Sequence, residues 1–346
     1  MSEIIVTPSP HISKPLSTRK VMLDVIIALG PAMVAAIWYF RQYAVVLIAT
    51  CILSALVTEY VCNLIRKRPN PMESLGDFSA VLTGIILALS IPARSFPSIA
   101  TMIMAAVIGS AFAIAIGKMV FGGLGSNIFN PAMAGRAFLV ASFGMLMTTW
   151  TVPTTIDPGM PKISADSQIA DARTQATPLA QSKEAIKTKS GADVVNNQMK
   201  ALFLGETGGC LGETSSLALL LGGLYLIFFS KTITFHTPLA VLLSAFIFSG
   251  IAYFINPEAY MSPVAHLFSG GLLIGAFFIA TDPVTAPLTK RGMWIFGAGV
   301  GAITMLIRIV GEYPEGVMYA VLLMNAATPL IDRFCRKVPI GGKSNV

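Results

Sequence analysis

Charge is what this sequence has least of. Only 12% of its 346 residues are Asp, Glu, Lys or Arg, against about 25% in an ordinary soluble domain. Hydrophobic residues make up 54%, and the mean hydropathy is +0.73. A soluble globular domain is excluded. Strict apolar–polar alternation is also missing, which excludes a membrane barrel, because barrel strands alternate lipid-facing and lumen-facing residues. The remaining solution for backbone in lipid is the helix. Cysteine is sparse too. Cys51, Cys62, Cys210 and Cys335 show no C-x-x-C spacing, so a disulfide framework, zinc site or iron–sulfur site built from this chain alone is not expected. Three scattered histidines, His11, His236 and His266, give no metal site. Residues 1–20 are polar, carry Pro8, Pro10 and Pro15, and lack the apolar core of a cleavable signal peptide. The first span is therefore expected to direct insertion.

Apolar runs fill the rest. About 20 residues cross a bilayer as a helix, and ten spans are expected: 21–40, 43–65, 79–92, 97–120 and 131–149, then 216–230, 238–255, 264–281, 293–310 and 315–331. Several are short or interrupted by Gly and Pro, which lipid tolerates only where the freed backbone is buried or lines a cavity. The net charge of +7 would suggest nucleic acid in a soluble protein. Here it reads as the cytoplasmic excess of Lys and Arg that sets orientation. Lys14, Arg19, Lys20, the run from Arg66 to Arg68, Lys118, Arg136, Lys231, Lys290, Arg291, Arg333, Arg336 and Lys337 fall on one side. The outside turns hold only Arg41, Arg94 and Arg308, and the charges of the long polar segment are nearly balanced. Both termini are then cytoplasmic.

The expected architecture is an all-α polytopic membrane protein in five parts. These are an arm (1–20), a five-helix repeat (21–149), an extracytoplasmic segment (150–215), a second five-helix repeat (216–331) and a tail (332–346). The halves share short patterns: Leu82-Thr-Gly84 with Leu273-Ile-Gly275, Ser90-Ile-Pro92 with Thr281-Asp-Pro283, and Asn130-Pro-Ala-Met133 with Asn325-Ala-Ala-Thr328. An odd number of spans per half makes such repeats inverted, and inverted repeats with broken helices commonly build a midplane site.

The polar segment 150–215 is far longer than a bare connection. Inside it lies Asp171-Ala-Arg-Thr174-Gln-Ala176-Thr177-Pro-Leu179. Read blandly, Thr-Pro is a turn dipeptide. Read chemically, Thr177 is a hydroxyl nucleophile on what should be mobile, accessible backbone. Residues 122–136 read GGLGSNIFNPAMAGR. They lack the spacings of a phosphate-binding loop, and no strand precedes them. A re-entrant bend is expected instead, with Asn130 capping a helix and Pro131 in its first turn. Among the acidic residues, Asp24 and Glu59 sit near span ends, where solvation explains them. Asp282, in the repeated break, is the better ion-path residue.

These stretches, together with Ser9-Pro-His-Ile12 and Ala280-Thr-Asp-Pro-Val-Thr285, resemble the D subunit of Rnf ion-translocating electron-transport complexes. That protein is the counterpart of the B subunit of the sodium-pumping NADH:quinone reductase. The resemblance runs over essentially the whole chain. It implies FMN bound to Thr177 through a phosphoester, installed by a flavin transferase, with Asp171, Thr174 and Ala176 as the rest of the motif. It implies a second, non-covalent flavin such as riboflavin, or an ion path, near Asn130, Arg136 and Asp282. It further implies electron flow between ferredoxin and NAD through sibling subunits of A, B, C, E and G types, in a bacterial cytoplasmic (inner) membrane, coupled to sodium or proton movement. The chain alone is expected to have no turnover. Where flavinylated relatives often carry Ser-Gly-Ala-Thr, this chain has Thr174-Gln-Ala-Thr177. The rivals are an inverted-repeat permease or channel without redox chemistry, and a structural anchor.

Overall fold

The computed structural model describes residues 17–149, 177–189, 192, 196, 199–205, 208–213 and 215–335. Asp171, Thr174, Gln175 and Ala176 lie outside the described residues. The chain is helical, and no strand occurs among the described residues. The first half contains α1 (Thr18–Phe40), α2 (Gln42–Ile65), α3 (Ser79–Leu89), α4 (Ile99–Ile114), α5 (Pro131–Ser142) and the short α6 (Gly144–Thr148). The polar segment supplies α7 (Pro178–Thr188) and α8 (Met199–Leu204). The second half contains α9 (Ser216–Leu224), α10 (His236–Ile255), α11 (Pro263–Phe268), α12 (Leu272–Ile274), α13 (Lys290–Ile309) and α14 (Val317–Phe334). Three helices run on as π-helix: α4 through Ala115–Met119, α9 through Tyr225–Ser230 and α12 through Gly275–Ile279.

Among the described residues, five helices are long and apolar enough to cross a membrane: Thr18–Phe40, Gln42–Ile65, Ile99–Met119, His236–Ile255 and Lys290–Ile309. This is a helical membrane protein. The other expected spans are shorter or interrupted. The 11 residues of α3 rise only about 16 Å at 1.5 Å per residue, roughly half of a 30 Å hydrocarbon core. It stops where Ser90 turns its hydroxyl back onto the Leu87 carbonyl and Pro92 follows. The expected span 264–281 is broken at Ser269, Gly270 and Gly271, between α11 and α12. Gly270 has φ +62° there, a left-handed conformation that glycine adopts without steric cost. The span 131–149 divides at Phe143.

The helix pairings of the two halves run in parallel. α2 packs on α4, and α4 on α5; α10 packs on α13, and α13 on α14. Between the halves, α1 meets α9 and α5 meets α14. Small residues allow the close approaches. A Cβ at Gly297 would come within 2.7 Å of the Thr237 carbonyl oxygen on α10, and one at Gly135 within 2.8 Å of the Gly109 oxygen on α4. The expected start of α5 is present: the Asn130 side chain accepts from Met133 N at 3.2 Å, and Pro131 opens the helix.

Candidate functional site

The three π segments end around one cavity of about 80 Å³. π-Bulges are frequent at functional sites, where they displace backbone from its regular pairing. The first carries Lys118. The second leads into Thr232, and the third into Thr281 and Asp282. Ser79, Thr83, Asn127 and Asn130 complete the polar lining. Asn130 and Asp282 therefore line one cavity. Asp282 is held in a tight turn, with its carboxylate accepting from Val284 N at 3.2 Å and from the Thr285 hydroxyl at 3.1 Å. This volume holds several waters. The lining suits water or a small cation.

Glu59 is not solvated, contrary to its position near a span end. It is 1% exposed. Lys118, expected in a cytoplasmic turn, reaches it with Nζ at 2.8 Å from both carboxylate oxygens and 2.6 Å from the Ser79 hydroxyl. The π turn points Lys118 inward, where only an anionic partner makes its burial tolerable. Glu59 also lines a more open recess of about 380 Å³, together with Arg68, Glu73 and Asp77. The Lys118–Glu59 pair thus contacts both spaces. Asp24 accepts from the Ser230 and Thr232 hydroxyls, at 2.6 and 3.1 Å.

Arg136 is not at this cavity. It lies in a second, charged cluster with Glu213, Cys210 and Glu315. Its Nη2 is 2.5 Å from Glu315 Oε2 and 3.7 Å from Glu213 Oε1. Glu315 Oε1 accepts from Gly271 N at 2.7 Å, at the break between α11 and α12. Arg308, counted from sequence as an outside-turn charge, is 2% exposed. It donates to the carbonyls of His266 at 2.8 Å and Ser269 at 2.9 Å. Burial and the nearby Glu315 carboxylate push the Glu213 carboxyl up to about 8.

Glu213, Gly270 and Glu315 also line the small cavity at Thr177, about 10 Å³ in volume. Thr177 is the N-cap of α7, with Oγ1 accepting from Ala180 N at 3.0 Å and Pro178 in the first turn. It is 6% exposed, so the expected open acceptor is a covered one. The hydroxyl is turned in to cap its helix, and α7 is docked through buried Leu179, Ser182 and Ala185. Lys183 adds a tether by donating to the carbonyls of Ile307, at 3.1 Å, and Gly311, at the C-terminal end of α13. For a phosphoester the oxygen is suitable, and the positive end of the α7 dipole favours an anion. The cavity is about one water in size, so an attached phosphoryl and its flavin would extend beyond it.

A family model described as "NQR2, RnfD, RnfE family" matches residues 5–341. The chain belongs to this family. It is 42% identical over 345 residues to the D component of the proton-translocating ferredoxin:NAD(+) oxidoreductase complex of Clostridium ljungdahlii, covering 97% of this chain and 96% of that protein. It is 42% identical over 337 residues to the D component of the Na(+)-translocating ferredoxin:NAD(+) oxidoreductase complex of Acetobacterium woodii, covering 96% and 94%. The D component of the ion-translocating oxidoreductase complex of Actinobacillus succinogenes is 38% identical over 349 residues, covering 95% and 96%. In this NQR2, RnfD, RnfE family protein, the residues the sequence did not single out are Lys118, Asn127, Glu213, Glu315 and Arg308. Their elements lie far apart in sequence, and only the π turns and the break at Gly270 bring them inward.

Proposed function

We propose that the chain is the D-type membrane subunit of an ion-translocating ferredoxin:NAD oxidoreductase complex, and that it carries electrons through FMN esterified to Thr177. The names of its relatives support the complex. The observation that carries the flavin reading is Thr177 itself. Its hydroxyl stands at the N-terminus of α7 beside a small cavity. When bound, the flavin supplies the redox chemistry, and the protein supplies position and electrostatics. Thr177 would hold the phosphoryl, the α7 N-terminus would stabilise its charge, and the Lys183 tether would fix α7 against α13. Ten spans in two inverted five-helix repeats are part of this reading, supported by the matching helix pairings of the halves. So are an extracytoplasmic position for α7 and cytoplasmic termini in a bacterial inner membrane. The partners are the sibling subunits and a flavin transferase.

The cavity at Asn130 and Asp282 is read as part of the ion path. Asp282 supplies a carboxylate at the break after α12, where unwound backbone and half-helix ends commonly coordinate ions. The coupling ion does not follow from similarity, since relatives of equal identity are named for protons and for sodium. A permease without redox chemistry is the second reading, favoured by the same cavity, which needs no flavin. The test is Thr177→Val in the assembled complex. Loss of ferredoxin-to-NAD electron transfer, with normal amounts of every subunit, supports the flavin reading. Unchanged electron transfer refutes it and leaves the permease or an anchor.

A further inference from the structure

Below Thr177, Glu213 and Glu315 converge on one guanidinium, but they are served unequally. Glu315 is fully partnered: Arg136 Nη2 meets one oxygen at 2.5 Å, and Gly271 N meets the other at 2.7 Å. Glu213 is not. Its Oε2 accepts only a long bond of 3.4 Å from Cys210 N. Its Oε1 has no hydrogen-bond partner and stands 3.7 Å from Arg136 Nη2. The side chain is 7% exposed. Every charged group facing it is otherwise engaged. Arg136 on α5 is held by Glu315, and Arg308 on α13 by two backbone carbonyls. Cys210 is in its own segment. Farther out are His266 on α11, whose carbonyl Arg308 holds, and Lys183 on α7, spent on the end of α13.

A buried carboxylate without a hydrogen-bonded cation is expensive, and taking up a proton is the usual escape. Where two carboxylates share one site, one of them gives way. We propose that Glu213 is a proton-binding site, with Arg136 and Glu315 forming the fixed ion pair that makes it one. The proton exchanges with water through the cavity at Thr177. Glu213-COOH becomes Glu213-COO⁻ plus H⁺, and no other bond changes. In the proton-bound state the four groups Arg136, Arg308, Glu315 and Glu213 carry one net positive charge. That charge would sit next to the phosphoester, a consequence that rests on the Thr177 reading; the proton site itself does not.

Infrared pH-difference spectra of the assembled complex in lipid test this. The expected result is a protonated-carboxyl stretch that disappears as pH rises through about 8, is missing in Glu213→Gln and persists in Thr177→Val. Gln imitates the neutral acid, so that variant should assemble. Glu315→Gln provides a second arm: it frees Arg136 for Glu213, ionises it, and should also remove the band at neutral pH. A band that survives in Glu213→Gln, or no band in the wild type, overturns the proposal. So does loss of the band in Thr177→Val, which would make the proton a property of the modified threonine. Flavin fluorescence of the same samples reports separately whether Thr177 carries a flavin.

Discussion

Replacing Lys118 by Met should be among the most damaging single changes in the membrane core. Lys118 Nζ makes three hydrogen bonds, two to Glu59 and one to the Ser79 hydroxyl. Lys118 is 2% exposed and Glu59 1%. Met matches the aliphatic stem but leaves the Glu59 carboxylate buried with no cation. Breaking a buried pair in this way costs about 3–5 kcal/mol, much more than the pair contributes over an apolar replacement. At about 1.4 kcal/mol per factor of ten, that is a loss of roughly 140- to 4,000-fold in the folding equilibrium. The double variant Lys118→Met, Glu59→Leu removes both charges and should return to within about 1 kcal/mol of the wild type. Titration of the detergent-solubilised protein with SDS, followed by helical circular dichroism, measures all three. A cost below about 1 kcal/mol for the single variant, or a double variant as unstable as the single, would refute the reasoning.

Gly297→Leu should separate α10 from α13, because a Cβ at Gly297 already comes within 2.7 Å of the Thr237 oxygen. Overpacking of this kind costs about 1–3 kcal/mol, read in the same SDS titration. Asn130→Ala should lose the cap of α5 and about 1 kcal/mol, whereas Asn130→Asp should retain most of it. Glu213 predicts a pH effect with a definite sign. Its carboxyl lies at about 8 in the folded chain against 4.5 ordinarily, so between these values the folded state binds a proton that the unfolded state does not. Stability should therefore fall as pH rises from 4.5 to about 8 and level off above it. Glu213→Gln should flatten that slope. Asp282→Asn should lower ion translocation per electron in reconstituted vesicles while ferredoxin-to-NAD electron transfer continues.

Sequence patterns revealed helical membrane character, the α5 cap at Asn130 and the break at Thr281-Asp282-Pro283, because these are local properties. Apolar run length, an Asn-Pro start and a proline stop act within a few residues. What the patterns could not reveal was direction. Lys118, Arg136 and Arg308 looked like loop charges from their place near apolar runs, yet each is buried. A π turn after α4 rotates Lys118 toward Glu59 on α2. Arg308 is the penultimate residue of α13, where the carbonyls exposed by the Gly270 break take it up. π turns leave no clear signature in hydropathy, so the cavity they enclose was legible only as separate residues, Asn130 and Asp282. The neighbours of Thr177 mark it only as an expected nucleophile. That its hydroxyl is turned in to cap α7 depends on the docking of Leu179, Ser182 and Ala185, which no local pattern records.

The central claim is that Thr177 carries a flavin. Mass spectrometry of the Thr177-containing peptide, taken from the complex isolated from cells that possess a flavin transferase, measures it directly. The expected result is a peptide heavier by FMN less one water, with the added mass on Thr177 and lost in Thr177→Val. An unmodified peptide in a complex that transfers electrons at full rate would contradict it.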